Sequence, residues 1–446
     1  MGVEGQYIDL YRENRGLLEA GSCGVLNARR GEALARLEAC GLPSPKTERY
    51  RYTDVQAAFA PDFGLNLGRK AGLTDPQRAF RCNVPGLNAA TFFVINDVVF
   101  PIDGTKGAVE GAEVASLQDY AAKNPRFIEE YYHRIAAQTG DGVTELNTLL
   151  VQDGIVIRIP DGVRLTRPIQ IVNVSSAAVD VMSNRRVLLV AGKDTEASVL
   201  FCDHAVGSSR YLTTQVVEVY AAERASLDLC AIEETGAANT RFCNMYAEQQ
   251  AGSRLRFTGI TLTCGTTCNR ADFRLSGEGA MLSANGAVIA DARQRADNNI
   301  LAEHIAPRCT SDMLYKYVLD GESIGAFAGK VLVRPGAQHT ASEQVNANLC
   351  ASPSARAYAQ PMLEIYADDV KCNHGSTVGK LDETALFYMQ QRGIAEAEAR
   401  LLLQHAFIND VLRRVEPEML RERLSRLVEM RFRGELSKCE GCRMCK

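Results

Sequence analysis

Between residues 141 and 378 the chain reads as many short apolar runs set apart by Gly, Asn, Asp and Ser. Examples are Ile155-Val156-Ile157-Arg158-Ile159, Val187-Leu188-Leu189-Val190, Gln215-Val216-Val217-Glu218-Val219-Tyr220 and Lys330-Val331-Leu332-Val333. Few stretches here carry helical periodicity, and short runs bounded by turn residues are the signature of an all-β domain. Leu227, Leu229 and Ala231 alternate with Asp228 and Cys230, as the two faces of a strand do. No fixed repeat can be read, so the pattern leaves a sandwich, a barrel and a solenoid open.

The flanks have a different texture. Up to about residue 140 the chain is mixed. Leu34, Leu37 and Cys40 fall at helical spacing before Gly41 and Pro43, which predicts a short helix and its stop. The run from Thr91 to Phe100 predicts a hairpin turning at Asn96-Asp97. A further helix is expected around residues 124–137. From residue 379 to the end three helices are expected. The first has Asp382 as N-cap, Glu383–Arg392 as its body and Gly393 just past its end. The second carries Ala399, Leu403, Ala406, Phe407 and Val411 on one face, and the third Leu420, Leu424, Leu427 and Val428. The division is thus 1–140, 141–378 and 379–446. Short amphipathic helices of this kind need a surface to pack on.

Composition narrows the class of partner. The 446 residues are 46% hydrophobic and 23% charged, with a formal net charge of −4, which argues against a nucleic-acid partner. No apolar run approaches the roughly 20 residues that span a bilayer, and Met1-Gly2-Val3-Glu4-Gly5-Gln6 has neither the basic nor the apolar region of a signal peptide. A cytoplasmic location is expected. In that setting the 14 cysteines do not read as a disulfide framework, and most are small buried hydrophobes. The phosphate loop, the nucleophile elbow and the H-E-x-x-H helix are all missing from the sequence, so a self-contained enzyme is not expected.

Two cysteine groups stand apart. In Lys371-Cys372-Asn373-His374 the thiol and the imidazole are two residues apart, so an extended strand puts both on one face. Together they are half of a site for a soft or borderline metal, iron of a cluster included, and the other half must come from elsewhere. Lys371 would favour the thiolate if it lay close in space. The second group is Cys439-Glu440-Gly441-Cys442-Arg443-Met444-Cys445, a spacing that wraps thiolates around one cluster or one zinc ion, here without a fourth cysteine. Cys202 and His204 repeat the i, i+2 relation, but the apolar run before them reads as an ordinary core strand. Cys264 and Cys268 carry no signature, and His304 and His339 are lone histidines, which are more often structural than ligands.

Longer segments carry a resemblance. Glu303-His304-Ile305-Ala306-Pro307, Phe327-Ala328-Gly329-Lys330-Val331, Thr340-Ala341-Ser342-Glu343-Gln344 and the run from Gln360 through Asp368-Asp369-Val370-Lys371-Cys372-Asn373-His374-Gly375 resemble the SufB/SufD family of iron–sulfur cluster assembly proteins. So do Leu381-Asp382-Glu383-Thr384-Ala385-Leu386-Phe387-Tyr388 and, upstream, Pro45-Lys46-Thr47-Glu48-Arg49-Tyr50-Arg51-Tyr52-Thr53, with Tyr50 where the family usually has tryptophan. SufB-like sequences carry a His-Glu-Ala segment at Cys372–Gly375 and a cysteine near Asn346, which this chain lacks, so the SufD side is favoured.

The resemblance implies a mainly β fold with flanking helices, its core a right-handed parallel β-helix. It implies a non-catalytic subunit of a SUF scaffold complex with SufB-like and SufC-like partners. His374, with Cys372 beside it, would face a SufB cysteine where a transient Fe–S cluster forms. The SufC ATPase would dock on the C-terminal helices, in the region of Asp382, Phe387, Tyr388 and Arg392. The three-cysteine tail departs from the family pattern. The alternatives are a structural adaptor, with a homodimer as one of its forms, that touches no cluster atom, a SufB-like scaffold, and a β-helix protein acting on carbohydrate.

Overall fold

The structure is a computed structural model and describes residues 2–20, 22–68, 84, 86–101, 108–109 and 111–436. Among them the core is a parallel β-solenoid, as the resemblance implied. From Ile155–Ile159 to Val370–Gly379 the strands alternate between two sheets, and within each sheet strands one coil apart pair in parallel. The expected hairpin is present: Ala90–Ile95 and Val98–Pro101 pair antiparallel, and the first of them opens one of the sheets by pairing with Ile169–Ser176. Asn96 takes the left-handed conformation that the tight turn requires.

The length of a coil drifts. Thr240 stands on Thr266, a step of 26 residues, while Ile324 stands on Arg356, a step of 32. Corner loops of unequal length absorb the difference, which is why no period shows in the sequence.

Interior positions repeat from coil to coil. Leu189, Val219, Ala247, Phe273, Ala302 and Val333 belong to one continuous apolar core inside the solenoid. The outer faces are covered as well. N-terminal helices Glu4–Ala20 and Gly24–Cys40, with Gly142–Leu150, bury Met182, Leu212 and Phe242 of one sheet under Tyr7, Leu37, Phe59 and Leu146. C-terminal helices Glu396–Leu412 and Glu418–Phe432 cover the other sheet, setting Ile408, Val411, Leu420 and Leu424 against Cys202, Cys230, Ile260 and Leu314. Strands buried on both faces read as near-continuous apolar runs, and that is the texture of residues 141–378.

Several local expectations shift. The helix expected around 124–137 is shorter: Pro125–Tyr131 is followed by His133 with φ of 56° and by a 3₁₀ turn at Ala136–Thr139. The cause is Glu218, whose carboxylate accepts from the amides of His133 (2.7 Å), Arg134 (3.0 Å) and Ala136 (3.2 Å), which pulls the chain out of the helix. Gly142–Leu150 is a helix inside the region read as β, capped by Asp141, which accepts from the Thr144 amide at 2.9 Å. On Glu396–Leu412 the buried side is Ala399, Leu401, Ile408, Val411 and Leu412, and Ala406 is exposed. The helix packs on both the sheet and Glu418–Phe432, so its buried stripe is wider and rotated from the one the pattern suggested.

The N-terminal motif bolts its region onto the sheet with polar groups. Arg49 donates to Asp272 (2.7 Å) and Asn299 (2.8 Å), Tyr50 Oη donates to Asp141 (2.8 Å), and Asp141 is also paired with Arg270. Thr53 Oγ1 donates to Asp297 at 2.8 Å. Burial pushes the Asp297 carboxyl up to about 6, against the pull of the Thr53 hydrogen bond and of Arg270. Because the folded pKa lies above the unfolded one, this group favours folding below about pH 4 and loses that contribution as pH rises through 6. Asp297→Asn keeps an acceptor for Thr53 and cannot ionise. Thermal unfolding at pH 7.5 is expected to show it stabilised by about 1–3 kcal/mol, with the gain gone at pH 4.

Candidate functional site

The two ends of the solenoid are not alike. The hairpin and the N-terminal helices close the first, whereas among the described residues the last coil, Arg356–Ile365 and Val370–Gly379, has a strand neighbour on one side only. Val370–Gly379 is exposed along most of its length, the reverse of Thr310–Leu319 two coils below it.

Cys372 and His374 sit on this last strand, in register with Ser342 and Gln344. Both partners are buried and bonded inside the coil: Ser342 to Ser311 at 2.7 Å, Gln344 Nε2 to the Gly329 carbonyl at 3.1 Å. Cys372 and His374 therefore share the inward face, as the i, i+2 spacing predicted, at the mouth of the solenoid. Cys372 is half-buried against the interior core and His374 is exposed. Lys371 points to the opposite face, and burial pushes the Cys372 thiol up. The thiolate support considered for Lys371 is not what the environment delivers.

The floor below this pair is polar, which sequence reasoning missed. Asn346 Nδ2 donates to the Tyr315 carbonyl (3.3 Å), Asn348 Nδ2 to Asn346 Oδ1 (2.7 Å) and Ser376 Oγ to Asn346 Oδ1 (3.4 Å). Gly329 is needed beneath Gln344, because a Cβ there would run into the Gln344 amide and the Phe327 ring. The alternation of Gln344, Asn346 and Asn348 in the sequence is the one signal that could have found this floor.

The ladder also determines which backbone groups are free. Arg356 N donates to Ser323 O (3.0 Å), so amides of even number in Arg356–Ile365 face inward and those of odd number face the open edge. Pro361 occupies one of the edge-facing positions and has no N–H to offer. In the companion strand the Ala341 amide donates to Cys309 O (3.1 Å), and carrying that alternation one coil on leaves the amides of Cys372, His374, Ser376 and Val378 facing outward without interruption. The residues whose side chains face the mouth also carry the edge that a partner strand would pair with.

Other candidates separate. Cys264 lies in the solenoid interior and Cys268 under the N-terminal helices, so they cannot share a ligand. Cys202 is core under the C-terminal helices. His339 is exposed and pairs with Asp369 at 2.8 Å. Cys439, Cys442 and Cys445 lie outside the described residues. Among the described residues no cluster of three or more His, Cys, Asp or Glu could hold a metal, so Cys372 and His374 remain half a site. Asp382 caps Glu383–Gln391 by accepting from the amides of Thr384 (2.9 Å) and Ala385 (3.2 Å). On that helix Phe387 and Tyr388 are 61% and 59% exposed, and Arg392 stacks over the Tyr388 ring.

The parallel solenoid thus leaves its last coil open among the described residues, with the side chains of Cys372 and His374 at its mouth. Residues 173–407 match the SUF system FeS cluster assembly SufBD core domain, and residues 1–171 the SufBD N-terminal region. The chain belongs to the SufBD family of iron–sulfur cluster assembly proteins. It is 26% identical over 420 residues to an iron-sulfur cluster assembly SufBD family protein of Synechocystis, covering 91% of each chain. It is 24% identical to SufD of Escherichia coli over 410 residues (90% and 92% of the two chains), and 24% identical to SufD of Bacillus subtilis over 329 residues (73% and 75%).

Surface residues without buried partners contribute little to stability. His374→Ala is expected to leave the urea midpoint within about 0.5 kcal/mol of the parent. Gln344→Ala strips the Gly329 carbonyl of its donor and is expected to cost about 1–3 kcal/mol in the same titration.

Proposed function

We infer that the chain is a SufD-like, non-catalytic scaffold subunit that pairs through its open coil with a SufB-like partner and helps to build Fe–S clusters at that junction. The observation that carries this reading is the position of Cys372 and His374 on the strand of the last coil whose outward edge, among the described residues, has no proline to break it. A partner strand laid along that edge brings its own side chains to the mouth, where they would supply the ligands the half-site lacks. The cluster is cargo: it forms between two chains and leaves when they part. The likeness to SufD proteins, over 90% of the chain for that of Escherichia coli and 73% for that of Bacillus subtilis, supports the same assignment. A homodimer through the same edge is the state that the isolated chain would adopt.

The exposed Phe387 and Tyr388, on a helix held rigid by its Asp382 cap and flanked by Arg392, suit docking of a SufC-like ATPase, since aromatic and arginine side chains dominate interface energetics. The three-cysteine tail is assigned to metal or cluster binding on its spacing. Assembly is assigned to the cytoplasm on the sequence reading; no helix among the described residues is long and apolar enough to cross a membrane.

One experiment tests these assignments: anaerobic co-expression with SufB-like and SufC-like partners, followed by iron and sulfide analysis of the purified complex. His374→Ala is expected to lower iron and sulfide with the complex still assembled. Unchanged content would remove the ligand role and leave a structural adaptor. Phe387→Ala combined with Tyr388→Ala is expected to lose the ATPase from the complex, and retention would place its dock elsewhere. Truncation after Ser437 is expected to lose about one metal equivalent, and unchanged metal content would end the role given to the tail.

A further inference from the structure

The motif from Pro45 to Thr53 does more than fasten the N-terminal cover, because it also crosses to the open coil. On three neighbouring strands Asp297, Ala326 and Tyr358 stand in register as one outward row. Thr53 holds the first member of the row through its hydroxyl, 2.8 Å from Asp297. Tyr52, the residue before it, holds the last. Its ring lies flat against that of Tyr358, with centroids 4.9 Å apart and 15° between the planes. Two strand spacings, about 10 Å, separate the two anchors, a span within reach of one tyrosine side chain and one residue of backbone. Ala326, in the middle of the row, lets the chain pass. It is 1% exposed although it faces outward, and it shares a cleft with Tyr52 and Thr53.

The strand that Tyr52 reaches is the one most in need of a hold. Among the described residues Arg356–Ile365 has a strand neighbour on one side only, and it is half-buried or exposed along its whole length. A strand with one ladder and little burial opens locally at small cost. Its far end is tied outward by the Lys330–Glu364 ion pair, which is part-exposed and so contributes little. A stacked aromatic pair is the firmer tie. Its footing is rigid as well, since Arg49 is fixed to Asp272 and Asn299, and Tyr50 to Asp141.

We propose that Tyr52 is a positioning residue, which braces the edge strand Arg356–Ile365 through Tyr358 so that a partner meets a preformed last coil. This rests on the reading that the open coil is the partner junction, where an edge that had to order on binding would lose affinity. A residue that only finished the N-terminal cover would act on the strands that Arg49 and Thr53 already hold, not on the strand two coils beyond.

Amide hydrogen exchange on the full-length chain alone tests the brace. Tyr52→Ala is expected to speed exchange at Arg356–Ile365 by about two- to tenfold, the worth of one aromatic stack, and to leave Thr266–Leu275 unchanged. Tyr52→Phe is expected to keep the parent rate. Tyr358→Ala is expected to match Tyr52→Ala, and the two together to add nothing further. No change at Arg356–Ile365, or a rise shared equally with Thr266–Leu275, overturns the brace. Titration with the SufB-like partner then tests its use, and Tyr52→Ala is expected to weaken binding by a similar factor, with Tyr52→Phe at the parent level. If exchange responds and binding does not, the junction lies elsewhere: the partner reading of the open coil fails while the brace stands. Weaker binding with exchange unchanged would make Tyr52 a direct contact and overturn the positioning role.

Discussion

Each coil of a parallel solenoid satisfies its backbone with the coil before it and the coil after it, and the last coil has no successor. That constraint orders the rest of the molecule. The first coil is finished by the Ala90–Pro101 hairpin and the helices around it. The last, at Val370–Gly379, is left with outward-facing amides and carbonyls. An unpaired edge is a liability for a soluble protein and is usually blunted. Here Pro361 interrupts one strand of the open coil, while the strand with Cys372 and His374 has no such break. The edge left available is the one proposed to meet a partner.

The same architecture explains why the flanking helices are indispensable. Parallel strands of this length present apolar side chains outward as well as inward, and Met182, Phe242, Cys230 and Ile260 need covers. The N-terminal cover is held by directed polar contacts. Arg49 and Thr53 reach Asp272 and Asp297 on strands far along the sequence, Tyr50 reaches the helix cap Asp141, and Arg270 pairs with Asp141 beneath them. Buried ion pairs are weak sources of net stability but costly to break singly, so they fix where the cover sits more than how tightly it is held. The C-terminal cover relies instead on Ile408, Val411, Leu420 and Leu424, with Arg431 reaching Asp291 at its edge.

Much of this was legible from local physics. Asp382 and Gly393 mark helix ends because a short acceptor and a residue free to take positive φ are what those ends need, and both do so here. The stripe of Leu420, Leu424, Leu427 and Val428 is buried as read. What escaped depended on distant partners. The sequence around 124–137 could not show that Glu218 draws three amides out of a helix, nor could Ala406 show that its helix packs on two surfaces at once. Inside the solenoid Arg185 and Arg241 share Asp203 at 2.9 and 2.8 Å, and nothing local distinguishes those arginines from solvated ones. That Cys372 and His374 share the inward face was legible from their spacing; the polar floor beside them was not, because it is built across neighbouring coils.

The half-site proposed for Cys372 and His374 has a chemical logic of its own. A complete set of ligands on one chain would bind metal tightly and couple it to that chain's folding, which suits a resident cofactor. A scaffold must let its cargo go. Splitting the ligands between two chains makes affinity depend on the junction, so any event that moves the partners apart lowers affinity by removing half the donors at once. For that to work, the contribution of each chain must be rigid before assembly, because a loose side chain would lose on ordering what it gains on binding. Cys372 and His374 meet this condition through their place on a strand whose other side is fully paired, above Ser342 and Gln344 that are themselves locked by hydrogen bonds. The exposed half of the site is free to meet a partner, and the buried half fixes where the meeting occurs.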